Sequence, residues 1–525
     1  MKPSKEIKIG NIAIGAGNDI AIQSMTNTDT NDIEKTLGQI VSLIDSDCQI
    51  VRVTTPSLRE AEALVKIHQK LREMGHQTPI VADVHFNPKV AEFMSQYVEK
   101  VRINPGNYVD KKLNKTLEYT PKEYQAELDK IEERLLPLME LCKQHNTAIR
   151  IGVNHGSLSD RIISQYGNTA QGMAMSGIEF ADIMQRHNFT NLVMSLKSSD
   201  VKTMIKATQL FVEMMKDRKM SYPLHLGVTE AGSESEARIK SAAGIGALLI
   251  SGIGDTIRVS LTEKPENEIP VAKLIVEISE KIINESGDFI PYKTEEKYSR
   301  IKTTEKWAIG GGLPLAIISN CAENRADKSV DFIETNIEDF NILKIEGGRS
   351  LREFHENISE IVSQDSRPLI VKRTYQIADA DEFMLRASIE FSGILSQGLC
   401  DAIWIENPHF DDKFNYQLSN EILQAMDLRR FKAEIVSCPS CGRTLYDIEK
   451  LLKAVKAEFS HHKGLKIGVM GCVVNGPGEM ADADYGIVGA GNGKVWIFKA
   501  GKAILKNIPE EEAIATLKSI IEVES

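Results

Sequence analysis

Three cysteines near the C-terminal end hold the densest chemistry of the chain: Cys438-Pro-Ser-Cys441, then Gly471-Cys472-Val-Val-Asn-Gly-Pro-Gly-Glu479. Two thiolates with two residues between them can grip one metal centre. The third arrives from a segment that ends in a tight Gly-Pro-Gly turn. Three soft sulfur ligands suit an iron–sulfur cluster or zinc. No fourth cysteine follows, so the site is either open or finished by a different ligand. A structural zinc site wants a fourth Cys or His. The histidines to hand, His461 and His462, lie before the strand that leads to Cys472. A redox dithiol at Cys438 and Cys441 leaves Cys472 and Glu479 without a role. An iron–sulfur site therefore accounts for the most residues. Glu479 keeps two readings: a solvated carboxylate after a turn, or a hard oxygen ligand more exchangeable than thiolate. The other four cysteines, Cys48, Cys142, Cys321 and Cys400, have no partner at ligand spacing and read as small hydrophobes.

A second set of residues must sit where the first can reach it. Eight β-rich apolar runs occupy the first 265 residues: Ile20–Met25, Gln49–Val53, Pro79–Val84, Glu99–Ile103, Ala148–Val153, Asn191–Leu196, Pro223–Val228 and Asp255–Ser260. Amphipathic stretches separate them, so the strands are expected to be parallel with helical crossovers. Eight such units make a (β/α)8 barrel; an open doubly wound sheet is the competing arrangement. In a barrel the C-terminal strand ends gather on one face. Five of those ends carry Arg52, Arg102, Arg150, Lys197 and Arg258. Such a ring of cations in an acidic protein predicts a phosphate-rich guest, since guanidinium matches phosphate oxygens. Asp83 and His85 share one side of a strand, and Glu230 follows another; all three are acid–base candidates.

Composition bounds the rest. The 525 residues are 42% hydrophobic and 26% charged, with a formal net charge of −11, which argues against nucleic acid as a partner. No apolar run approaches the roughly 18 residues a membrane span needs, and the N-terminus lacks a signal core. Seven cysteines make a poor disulfide framework. A cytoplasmic enzyme is expected. Its fold class is α/β: a TIM-like barrel in 1–275, an α/β middle domain in 290–430, and a small α/β iron–sulfur domain in 431–525. In the last, a helix near Asp447–Ala457, a strand near Leu465–Met470 and a hairpin around Tyr485–Phe498 are expected. The glycine-rich Gly489–Lys494 lacks P-loop spacing and reads as that hairpin's turn.

These segments resemble the 4-hydroxy-3-methylbut-2-enyl diphosphate synthase (IspG/GcpE) family, in its three-domain form. The matching motifs run in order: Gln23-Ser-Met-Thr-Asn-Thr28, Val51-Arg-Val53, Ala82-Asp-Val-His-Phe86, Arg102-Ile-Asn-Pro-Gly-Asn107, Arg150-Ile-Gly-Val-Asn154, His225-Leu-Gly-Val-Thr-Glu-Ala-Gly232, Gly254-Asp-Thr-Ile-Arg-Val-Ser260, and the two cysteine segments. The resemblance implies that the middle α/β domain, 290–430, is an inserted spacer. It implies reductive ring opening of 2-C-methyl-D-erythritol 2,4-cyclodiphosphate. It implies a [4Fe-4S] cluster on Cys438, Cys441, Cys472 and Glu479, with reduced flavodoxin or ferredoxin as donor. On that basis the five cations bind the diphosphate, and Asn104, Asn154 and Ser260 orient it. Asp83, His85 or Glu230 move protons, and substrate displaces Glu479. The competing function is a zinc-stabilised barrel acting as a phosphate-ester lyase or transferase.

Overall fold

The computed structural model describes residues 4–524 apart from 85, 110–117, 293–308, 311–312, 320–329, 332–339, 366, 443, 445, 474–475 and 492. His85 and Cys321 lie outside the described residues.

Eight parallel strands form the first sheet: Ala21–Met25, Ile50–Thr54, Ile80–Asp83, Lys100–Ile103, Ala148–Asn154, Leu192–Lys197, His225–Leu226 and Thr256–Ile257. The last strand pairs with the first, and a bridge from Met194 to Leu224 joins the sixth to the seventh, so the sheet closes into a barrel. Helices follow most strands, and short polar side chains start them. Asp32, Ser57, Asn87 and Asp200 each accept a backbone N–H of the first turn. These caps end the βα loops sharply and leave the strand tips pointing into one mouth.

The opposite end is sealed. A hairpin of Ile7–Ile9 and Ile12–Ile14 packs its isoleucines against Ala21, Ile50, Val81, Ala148 and Val193, the lowest inward residues of the barrel. Ile9 and Ile14 are fully buried.

A five-stranded parallel sheet follows, in the spatial order Val330–Asp331, Ala316–Ile318, Ala402–Glu406, Leu369–Thr374, Asn341–Ile345. Its apolar interior is continuous with that of the barrel. The join is close: helix Ala380–Ser396 packs on the π-turn Ala242–Gly246, where a Cβ on Gly246 would meet Ile389 Cγ1 at 2.3 Å.

The C-terminal sheet runs Glu434–Ser437, Lys466–Met470, Tyr485–Gly491, Lys494–Lys499, Lys502–Pro509, parallel in its first three strands and antiparallel after. Helices Ile448–Phe459 and Ala513–Glu524 cover one face. The expected helix, strand and hairpin are therefore present, with Gly491 and Gly493 at the turn.

This unit sits over the barrel mouth. Ser437 bridges to Ala231, and Thr262 Oγ1 lies 2.7 Å from Ser437 Oγ and donates to the Cys438 carbonyl at 3.1 Å. Lys240 of the barrel pairs with Glu434 at 3.0 Å. Backbone meets backbone at Gly156 and Gly478: a Cβ on Gly478 would lie 2.3 Å from the Gly156 oxygen. Only glycine permits that approach.

Candidate active site

Barrel and C-terminal unit line one shared cavity. From the barrel come Arg52, Asp83, Arg102, Arg150, Asn154, Lys197, Glu230, Arg258 and Ser260; from above come Cys438, Cys441, Cys472 and Glu479. All these residues were singled out in the sequence. Asn104 was also, and it does not line the cavity. Its side chain caps the short helix Pro105–Tyr108 by accepting from Gly106 N at 3.1 Å, and donates to Ser157 Oγ at 2.8 Å. An Asn before Pro-Gly is an N-cap first, and that use consumes it.

The five cations are all buried. Asp83 pairs with Arg102 at 3.0 Å and lies 3.9 Å from Arg52. Arg102 Nη2 also donates to the Gly152 carbonyl at 3.1 Å. Arg258 makes a two-point contact with Glu268, at 2.9 and 3.1 Å. The remaining cations are poorly compensated. Arg52 donates to the Met25 sulfur, a weak acceptor, at 2.9 and 3.1 Å. Arg150 donates to Ser195 Oγ at 2.8 Å, while its Nε and Nη2 have no hydrogen-bond partner among the described residues. Lys197 makes no ion pair among the described residues. Burial, reinforced by the neighbouring guanidiniums, holds Lys197 and Arg150 well below their ordinary pKa. Burial likewise brings Arg52 down to about 10, against the pull of Asp83. Five cations against Asp83 and Glu268 leave this seat net positive and ready for an anion with several oxygens.

Two carboxyls face one another at the roof. Asn154 Nδ2 donates to Glu479 Oε1 at 3.2 Å, and Asn154 Oδ1 lies 3.5 Å from Arg102 Nη2. The Glu230 carboxyl faces that of Glu479, and its buried Oε2 has no hydrogen-bond partner among the described residues. Burial first, and the facing Glu479 second, push the Glu230 carboxyl well above the usual range. Burial raises the Glu479 carboxyl as well, though less, so the pair favours a single shared proton, with Glu230 the readier to hold it. Its backbone is left-handed (φ +50°), a strained conformation that aims the side chain inward.

The donor set fits an iron–sulfur centre. Cys438 Sγ accepts the Gly471 N–H at 3.1 Å, a contact suited to a cluster thiolate. Burial pushes the Cys438 thiol up to about 12, so only a metal's charge would make it a thiolate. No group of three His, Cys, Asp or Glu side chains among the described residues is arranged for a single metal ion. Cys48, Cys142 and Cys400 are buried apart from the cavity.

Some cavity residues were not read from sequence. Met25 beds two guanidiniums, and Thr444 and Met470 line the roof. Glu268 was missed because it lies on a helix ten residues beyond Arg258. Lys100 lies beneath the cavity, and the alternation Lys100-Val-Arg102 was the available signal.

Comparison with known proteins agrees. A family model described as the GcpE TIM-barrel domain matches residues 4–273, and one described as the GcpE protein C-terminal domain matches residues 434–523. The chain is 41% identical to the 4-hydroxy-3-methylbut-2-en-1-yl diphosphate synthase (flavodoxin) of Phocaeicola vulgatus, over 99% of this chain and 97% of that one. It is 39% identical to the protein of the same name from Bacteroides thetaiotaomicron, with the same coverage, and 35% to that of Leptospira interrogans, over 99% and 96%. A barrel of matching extent, a matching C-terminal unit and near-complete coverage by these relatives mean that the chain belongs to the GcpE family of 4-hydroxy-3-methylbut-2-en-1-yl diphosphate synthases.

Proposed function

We propose that this protein opens the ring of 2-C-methyl-D-erythritol 2,4-cyclodiphosphate and removes one hydroxyl as water, forming 4-hydroxy-3-methylbut-2-enyl diphosphate. The reaction takes up two electrons and two protons, with reduced flavodoxin as donor. One observation carries this reading: a net-positive seat and an incomplete cysteine set line the same cavity. A [4Fe-4S] cluster on Cys438, Cys441 and Cys472, with Glu479 as exchangeable fourth ligand, would supply single electrons and a Lewis-acidic iron.

The protein's own residues do the rest. Arg52, Arg150 and Lys197 take the diphosphate. Asp83 and Glu268 hold Arg102 and Arg258 in orientation, so Asp83 is a positioning carboxylate rather than a proton donor. Ser260 supplies a neutral hydroxyl at the rim. Glu230, held neutral beside Glu479, delivers a proton to the departing hydroxyl oxygen. Asn154, which donates to Glu479 Oε1, would steady that carboxylate at the roof of the cavity. The seated C-terminal unit excludes water from the redox step.

We divide the chain into a substrate barrel (1–275), a spacer (290–430) and a cluster domain (431–525). The spacer lets one chain fold its own third domain over its own barrel. No described helix is long and apolar enough to cross a membrane, and we take the compartment to be the cytoplasm. The test is anaerobic purification, then iron and labile sulfide content, then turnover of the cyclic diphosphate with flavodoxin reduced by one electron. Iron-loaded wild type must turn over, and Cys472→Ser and Glu230→Gln must not approach its rate. A colourless, zinc-containing protein that processes a phosphate ester without reductant would replace this reading with the lyase or transferase one.

A further inference from the structure

A second tier of positive charge lies beneath the seat. Lys100 stands two residues before Arg102 on one strand, so both side chains point into the barrel. Lys100 is fully buried. Its ammonium donates to Gln23 Oε1 at 3.1 Å, and no carboxylate pairs with it among the described residues. Burial first, and then Arg150 and Arg52 of its own sign, hold its pKa well below the ordinary lysine value; both arginines line the cavity above, where an incoming anion favours the charged ammonium. Gln23 Nε2, His225 Nε2, and Arg150 Nε and Nη2 are all buried without hydrogen-bond partners among the described residues. From below, the isoleucine hairpin keeps solvent away.

Such an arrangement is a poor stabiliser. A buried ammonium without an anion is unfavourable, and a neutral side chain of similar volume is commonly better tolerated. Residues that work against stability in this way are retained where function needs them. The anion nearest to Lys100 in the working enzyme is the one that enters the seat.

We propose that Lys100 is a remote affinity residue for the diphosphate, acting through space from below the cations that touch it. This rests on the reading of the cavity as the diphosphate seat. Two residues of strand set its ammonium about 7 Å beneath the Arg102 guanidinium, and so roughly 10 Å from an anion resting on the seat. At that range, with an effective dielectric of about 20, one unit charge changes affinity by about fifteenfold. Screening by Arg150 and Arg52 reduces this, leaving a loss of about tenfold on neutralisation.

The test uses oxidised holoenzyme, titrated calorimetrically with 2-C-methyl-D-erythritol 2,4-cyclodiphosphate, with the thermal midpoint of the ligand-free protein measured alongside. Lys100→Met and Lys100→Gln should each weaken binding about tenfold while leaving the midpoint unchanged or higher. A merely structural lysine would lower the midpoint. The inference is overturned if either variant binds within threefold of wild type, or if both are destabilised or fail to fold. Lys197→Met, in the seat itself, separates the two levels. If it keeps wild-type affinity the seat reading falls; if it loses affinity and the Lys100 variants do not, only the role of Lys100 falls.

Discussion

Gly156 and Gly478 offer a clean way to pry the two halves of the site apart. A methyl group on Gly156 would lie 2.7 Å from the Gly478 carbonyl carbon and oxygen and 2.8 Å from Glu479 N, against an ordinary contact of 3.4 Å or more. Relief requires a shift of 3.4 − 2.7, or about 0.7 Å, and for Gly478→Ala of 3.4 − 2.3, or about 1.1 Å. Both obstacles are backbone, so no side chain can swing aside. Neither glycine has a left-handed φ, so alanine brings no strain of its own. The shift therefore falls on the seam that aligns Glu479 and the cysteines with the seat. Displacements near 1 Å in a reacting geometry cost about a hundredfold in rate. Gly156→Ala should lose roughly that much kcat, while iron and sulfide content stay at wild-type levels and the thermal midpoint moves by only a few degrees. Stopped-flow turnover with a one-electron donor, beside metal analysis, reads all three. Turnover within threefold of wild type in a fully loaded Gly156→Ala protein would refute the claim that this backbone contact aligns the site.

Four further outcomes follow from the same geometry. Mixing Cys472→Ser chains with Arg102→Ala chains should restore no activity, because one chain supplies both seat and cysteines here; recovery above a few per cent would mean closure between chains. Asn104→Ala should lower stability by about 1 kcal/mol, the usual value of a lost cap, while leaving KM within twofold, since the residue does not reach the cavity. Asp83→Asn should lower kcat/KM by 10- to 100-fold through loss of guanidinium alignment, with its own amide unable to rescue the pH profile. Acid should loosen the seam: burial alone would raise the Glu434 carboxyl, but Lys240 and Lys466 override it and hold it at about 2. A depressed pKa contributes stability that is complete above the unfolded value near 4.5 and fades as pH falls toward 2. Glu434→Gln should remove that acid dependence and lower stability at pH 7 by roughly 3 kcal/mol, because buried Lys240 loses its carboxylate and Lys466 keeps only Asp482; an unchanged denaturation profile between pH 5 and 2.5 would contradict it.

Much of the site was legible because barrel strands impose a period of two and a common direction. Five cations at corresponding strand tips could be read as one ring without knowing any distance. The cysteine segments were legible from ligand chemistry. What escaped depends on packing across elements remote in sequence. Glu268 reaches Arg258 from a helix, and Met25 beds two guanidiniums from the first strand. The facing of Glu230 and Glu479 arises only after the C-terminal unit lands on the mouth, and that landing is set by two glycines 322 residues apart. Asn104 was misread for a different reason. Its polar side chain near a strand tip fits a substrate contact, but a following Pro-Gly turn claims it locally. The seventh and eighth strands are only two residues long, so the runs Pro223–Val228 and Asp255–Ser260 overstate the ladder while locating it correctly.

The isoleucine hairpin plugs the lower end of the barrel, so among the described residues the way in is the mouth above. Its stopper is the same unit that carries the sulfur ligands. Loading of reactant, discharge of product and admission of air thus share one doorway. If that door must swing for each turnover, the swing sets the ceiling on rate, however fast electrons arrive. Oxidative damage should likewise track how long the door stands ajar, so enzyme kept saturated with its cyclic reactant should outlast empty enzyme in aerated buffer.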